Sequence, residues 1–218
     1  MNKNAIIEGL AVPLPIANLD TDQIMPKQFL RGIDKAGLAE GLLYDMRFDG
    51  QGKPRQDFAF NQPKYENASI ILGGANFGCG SSREHAVWGL QQAGIRAVVA
   101  SSFAEIFYSN AMNNGLMLAS VSEADMQRLF AEESASDAMR LRIDVENLRV
   151  ISSTGTAGFT LSRRHQDMFL HGLDMLGASL LHKAEIVSFA ENWYRDHPWL
   201  KNVASGARDR LDRQSGLR

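Results

Sequence analysis

The middle of the chain alternates short apolar runs with amphipathic stretches. Ser69-Ile70-Ile71-Leu72 is apolar, is too short for a helix and stops at Gly73-Gly74, so it reads as a buried strand. Residues 83–93 carry Ala86, Leu90 and Ala93 on one helical face and meet Gly94, a helix stop. Residues 95–100 form a second apolar run. Ser102 and Glu105 have capping-box spacing and open a helix through Asn113, with Gly115 as its C-terminal cap and residues 116–121 as a third strand. The order β-α-β-α-β defines an α/β protein with parallel strands and right-handed crossovers. Ligands of such sheets lie beyond the C-terminal ends of the strands. The turn over residues 73–82 lies at such an end.

The flanks add other elements. Residues 6–12 predict a strand, Asn18-Leu19-Asp20-Thr21-Asp22 a polar turn, residues 34–43 one or two helical turns, and residues 49–54 a loop. Residues 122–134 predict a helix. Leu141, Ile143 and Val145, then Leu148 and Val150, alternate on either side of Glu146-Asn147, a hairpin pattern that adds antiparallel strands. Residues 164–176 and 178–195 read as closing helices. This gives one domain over residues 1–200 and a mobile tail over residues 201–218, where five basic and two acidic residues have little to bury.

Composition narrows the function. With 23 Lys plus Arg against 25 Asp plus Glu, the charge of -2 draws the chain neither to nucleic acid nor to an anionic membrane. A small neutral or anionic ligand fits better. No apolar run reaches the roughly 18 residues of a membrane helix, and Glu8, Pro13 and Pro15 interrupt the apolar N-terminus, so no signal peptide is read and a cytoplasmic protein is expected. A single cysteine, Cys79, excludes an internal disulfide and any thiolate-built metal site within this chain. His165, His171, His182 and His197 are scattered without ligand spacing, so no metal site is expected.

The chemistry concentrates in Gly73-Gly74-Ala75-Asn76-Phe77-Gly78-Cys79-Gly80-Ser81-Ser82-Arg83-Glu84-His85. It fails the dinucleotide fingerprint at Arg83, the P-loop for want of Gly-Lys-Ser/Thr, and the hydrolase elbow for want of a glycine two residues after its serine. Glycines permit close backbone approach, a helix N-terminus presents free N–H groups, and Arg83 supplies a fork for a carboxylate. The same residues read equally as an ordinary capping box, Ser81 with Glu84, and a surface arginine. A Cys79–His85 nucleophile pair is disfavoured because no third group orients it. Cys79 reads better as a small packed residue and His85 as a supporting or capping group.

Asn76 through His85 closely resembles the signature of the small subunits of bacterial 3-isopropylmalate dehydratase, and Gly80 to His85 resembles the swivel domain of the aconitase superfamily. The likeness continues through Asn18-Leu19-Asp20-Thr21-Asp22-Gln23-Ile24, Pro26-Lys27-Gln28-Phe29-Leu30, Ser102-Phe103-Ala104-Glu105-Ile106-Phe107 and Asn113-Asn114-Gly115-Leu116. It implies a swivelling β/β/α domain that closes over a large partner subunit holding a [4Fe-4S] cluster, acting on a small 2-hydroxy di- or tricarboxylate.

By the same resemblance Ser81 is the catalytic base and Arg83 clamps a substrate carboxylate, while Ser82 is a neighbouring candidate or a helix cap. Asp22 orients Arg83 or Ser81, or forms an Asx turn as Asp20 does. Leu30 and Arg31 stand in the loop that selects the substrate's side group, with Ile33 a further apolar contact. Departures from the bacterial pattern at Lys35-Ala36-Gly37-Leu38-Ala39, Met117-Leu118-Ala119 and His171 leave related hydro-lyases of citraconate, methylmalate or homoaconitate type open. A non-catalytic carboxylate-binding module also remains open.

Overall fold

The structure, a computed structural model, describes residues 5–30, 37–81 and 83–215. Ser82 and Arg31, two of the expected substrate contacts, and Ile33 lie outside the described residues, as does the start of the helical turns expected at 34–43.

Among the described residues, β1 (Ile6–Leu14), β2 (Ile70–Gly73), β3 (Ala97–Ala100), β4 (Met117–Ser120), β5 (Arg140–Asp144), β6 (Arg149–Ile151) and β7 (Thr156–Gly158) form one seven-stranded sheet, ordered β4-β3-β2-β1-β5-β6-β7. β1 to β4 are parallel and β5 to β7 antiparallel, as the mixed pattern predicts. β7 was not read from the sequence, because Thr156-Ala157-Gly158 is too short and too small-sided to show alternation. β1 joins the two halves. Its residues from Ile6 to Leu10 pair with β5 and those from Ala11 to Leu14 with β2. The strand runs through Pro13, two residues beyond the sequence expectation. Proline is tolerated because N–H directions alternate along a strand, and Pro13 follows Ala11 by two on the edge where the β5 ladder has ended.

The helices are α1 (Thr21–Ile24), α2 (Leu38–Gly41), α3 (Tyr44–Arg47), α4 (Glu84–Gln92), α5 (Glu105–Asn113), α6 (Glu123–Ser134), α7 (Arg163–His171), α8 (Met175–Leu180), α9 (Lys183–Asp196) and α10 (Val203–Ser215). The period of two in the strands sorts their side chains between two cores. Val12, Ile71, Val98 and Leu118 face Ala86, Val87 and Leu90 of α4 and Phe107 and Ala111 of α5. Ala11, Ile70, Leu72, Val99 and Met117 share the other core with Met126 and Leu129 of α6 and with Leu141, Ile143 and Val150 of the antiparallel half. A buried acid at the end of α6, Glu133, accepts a hydrogen bond from the Tyr65 hydroxyl and pairs with Lys64 at 3.6 Å.

Compact units fall at Met1–Asp174 and Met175–Arg218, where the sequence reading draws one domain through residue 200 and a mobile tail beyond it. The helix expected over 164–176 is two helices, because Gly172 adopts φ 64° and ends α7. Residues Val203–Ser215 are helical. No helix among the described residues is long and apolar enough to cross a membrane.

Candidate active site

The turn between β2 and α4 is held from three sides. Gly74 passes so close to β1's exit that a Cβ there would stand 2.4 Å from the Ile16 carbonyl carbon. Asn76, in the left-handed region at φ 55°, donates its backbone N–H to Ser102 Oγ at 2.8 Å and its side-chain amide to Asn18 Oδ1 at 2.8 Å. Phe77 is buried against Phe107, with ring centroids 5.6 Å apart, and forms a parallel bridge with Phe103. Gly78 has φ 78°, and its missing side chain leaves room for the Phe107 ring, which a Cβ would meet at 2.2 Å. Its N–H donates to Leu19 O at 2.8 Å, while Cys79 O accepts from Thr21 N–H at 2.9 Å.

These bonds tie the turn to residues 18–22, distant in sequence. Asp20 is spent locally, since it caps α1 through a reciprocal box with Gln23. Asp22, in the first turn of α1, is left to face Arg83. Its Oδ1 lies 2.9 Å from Arg83 Nη1 in an ion pair and accepts no hydrogen bond, with the acid's side chain 41% and the arginine's 27% exposed. Lys27 adds a second cation 3.7 Å from Asp22 Oδ2. Thr21 is fully buried, and its Oγ1 has no hydrogen-bond partner. A Cβ on Gly80 would sit 3.6 Å from that oxygen.

Arg83 is the N-cap of α4 and makes no side-chain cap, so the capping box offered by Ser81 and Glu84 does not form. Glu84 is the first helical residue instead of the third, and its carboxylate accepts from Asn114 Nδ2 at 2.7 Å. Ser81 is exposed just before the helix. The box expected from Ser102 and Glu105 is also absent. Ala104 is the N-cap of α5, and the Ser102 hydroxyl is used on Asn76.

Asn114 was not singled out from the sequence. It accepts from Trp88 Nε1 at 2.9 Å while holding Glu84, so the end of α5 fixes the start of α4. The Cys79 thiol donates to Asn18 O at 3.1 Å, and His85 lies against Trp88 at 4.8 Å. No contact joins the thiol to the imidazole among the described residues. Leu30 follows a short 3-10 turn, Lys27–Phe29, and packs partly buried against the core. A cavity of about 440 Å³ lined by Arg96, Gly115 and Phe169 lies at the N-terminal ends of β3 and β4 and includes none of Asp22, Ser81 or Arg83. The turn brings together a helix N-terminus, a forked cation paired with an acid, and an exposed hydroxyl.

A family model of the aconitase C-terminal domain matches residues 1–124. Small subunit 1 of 3-isopropylmalate dehydratase from Chromobacterium violaceum is 60% identical over 94% of this chain and 97% of its own length. The small subunit from Caulobacter vibrioides is 44% identical over 89% of this chain and 96% of its own. The crystal structure of 3-isopropylmalate dehydratase LeuD from Methanocaldococcus jannaschii superposes with a TM-score of 0.59 at 28% identity, covering 85% of this chain and 99% of that one. The chain belongs to the aconitase C-terminal domain family and, within it, to the small subunits of 3-isopropylmalate dehydratase.

Proposed function

We propose that this chain is the catalytic small subunit of a cytoplasmic 3-isopropylmalate dehydratase, interconverting 2- and 3-isopropylmalate by dehydration and rehydration, with Ser81 as its base. The observation that carries the reading is the Asp22–Arg83 pair beside exposed Ser81 at the N-terminus of α4. The names of the relatives support the isopropyl acid over the methylmalate and homoaconitate alternatives.

Dehydration breaks a C–H bond next to a carboxylate. Its electron pair forms the double bond as hydroxide leaves the neighbouring carbon, and the proton goes to Ser81 Oγ. A free serine is too weak an acid to be ionised for this task. The first N–H groups of α4 and the Arg83 guanidinium place positive potential where the alkoxide forms, and a closed, dry cleft strengthens both. Arg83 holds the adjacent carboxylate through its fork, and Asp22 sets the fork's direction. Leu30 contacts the isopropyl group, and that apolar group offers no partner to the guanidinium of Arg31, whose unpaired burial would cost several kcal/mol.

The family implies a [4Fe-4S] cluster. This chain's one thiol, Cys79, is engaged with Asn18 O, and no cluster of three or more His, Cys, Asp or Glu among the described residues could hold a metal. Its residues do not fit as cluster ligands, so the cluster belongs to the large subunit. The relatives' designation as small subunits supports that division of labour.

The test is turnover of 3-isopropylmalate by wild type and Ser81→Ala, each joined to the large subunit. The expected result is a loss of about 10³-fold in kcat with substrate binding retained. Unchanged turnover with binding retained would mean a carboxylate-binding module instead.

A further inference from the structure

We propose that Asn114 is a positioning residue of the active site: by holding Glu84 to one side it starts α4 at residue 84 and keeps Ser81 out of a helix cap. The inference rests on the reading that Ser81 and Arg83 act on the substrate. Residues 81–84 have two structures open to them. In one, Ser81 is the N-cap, its hydroxyl accepts from the Glu84 N–H, the Glu84 carboxylate accepts from the Ser81 N–H, and Arg83 lies inside the helix. In the other, which this chain adopts, Arg83 is the N-cap, extended at φ -80° and ψ 132°, and Glu84 is the first helical residue. Only the second leaves the Ser81 hydroxyl exposed and Arg83 against Asp22.

The choice is made from α5. Asn114 donates its side-chain amide to Glu84 Oε1 at 2.7 Å and to Asn110 O at 2.9 Å, and its Oδ1 accepts from Trp88 Nε1 at 2.9 Å. Its carbonyl oxygen accepts from Gln91 Nε2 at 2.7 Å. Glu84, Trp88 and Gln91 stand four and three residues apart, so these bonds run along one face of α4. A carboxylate only accepts and an indole N–H only donates, which leaves the amide a single orientation. Asn114 is itself fixed, because it is the C-cap of α5 and Gly115 at φ 75° turns the chain from it into β4. The sheet thereby holds the carboxylate that would close the box.

Release of Glu84 would undo both parts of the site. Ser81 Oγ would be spent on the backbone, and the returning carboxylate would lie on N–H groups that the forming alkoxide needs. Bringing Arg83 into the helix turns its ψ from 132° to about -40°, which carries the guanidinium away from Asp22. Substrate binds the open form alone, so a boxed fraction weakens apparent affinity in proportion and leaves turnover at saturation unchanged.

The test is steady-state kinetics on 3-isopropylmalate at saturating large subunit, with the Arg83 Cα chemical shift of the full-length chain as a second readout. Asn114→Ala should raise KM at least about fivefold with kcat within a factor of about two, and move the Arg83 shift from extended towards helical. Adding Glu84→Ala, which removes the box's carboxylate, should return both to near wild type, whereas adding Glu84→Gln should not, because glutamine closes the same box. A residue that only stabilises the fold would lower kcat at unchanged KM, and a second loss at Glu84 would not repair it. That pattern, or an Arg83 shift that stays extended in Asn114→Ala, overturns the proposal. A wild-type complex without turnover, beside an Arg83 shift that moves as expected, would remove the functional reading and leave the control of the helix start standing.

Discussion

Asp22→Asn separates positioning from stability at the proposed site. Asparagine keeps the length and one oxygen of the side chain but removes the charge that lies 2.9 Å from Arg83. Both partners are partly exposed, 41% and 27%, so solvent screens the pair and its share of folding stability is at most about 1 kcal/mol. For a chain of this size that moves Tm by about 2–4 °C. Catalysis should suffer more. A guanidinium freed to swing by about 1 Å loses the aligned carboxylate clamp, which costs about 10² in kcat/KM, or about 2.7 kcal/mol of transition-state binding. Because Asp22 acts through Arg83, the effects should not add. In an Arg83→Ala background, Asp22→Asn should lower kcat/KM by less than about threefold further. The assay is a double-mutant cycle on 3-isopropylmalate with saturating large subunit, beside thermal melts of the same four proteins. Additive losses, or a large fall in Tm with kcat/KM within a factor of two, would refute the positioning argument.

Arg83→Lys should lower turnover by one to two orders of magnitude, since a point charge cannot reproduce a fork, and steady-state kinetics within twofold of wild type would argue for a surface residue. Gly78→Ala should cost about 3 kcal/mol in chemical denaturation, because it combines a side chain at φ 78° with a Cβ 2.2 Å from the buried Phe107 ring; a loss below about 1 kcal/mol would contradict it. Burial alone would raise the carboxyl pKa of Glu132, but hydrogen bonds from Ser152, Ser153 and Thr154 outweigh it and hold the group at about 2, against 4.5 unperturbed. The stabilisation is therefore complete above pH 4.5 and is lost as pH falls through about 2; acid titration of stability should show about 2 kcal/mol disappearing in that window for wild type and not for Glu132→Gln. Arg31→Ala should affect 3-isopropylmalate mildly, and a selective collapse on homoaconitate from a higher wild-type rate would point to a tricarboxylate substrate.

What could be read from the sequence, and what could not, follows from the range of the interactions. The parallel unit was legible because each of its signals is local: Ile70-Ile71-Leu72 is bounded by glycines, the α4 residues repeat on one face, and Gly115 at φ 75° marks a helix end. Local signals misled where a distant group competed for the same atom. Ser102 and Glu105 have capping spacing, yet the Ser102 hydroxyl bonds Asn76, 26 residues away, and the helix starts without a side-chain cap. Glu84 was likewise taken from Ser81 by Asn114, 30 residues on. The proposed site sits where such distant claims converge. Asp22 and Arg83 have no periodic relation, and they meet only because β1 and β2 are neighbouring parallel strands whose C-terminal ends open on the same side. The backbone bonds from Gly78 to Leu19 and from Thr21 to Cys79 then fix one loop on the other. The parallel pairing inferred from short-range pattern is thus what brings the acid to the arginine, and resemblance alone identified which acid that is.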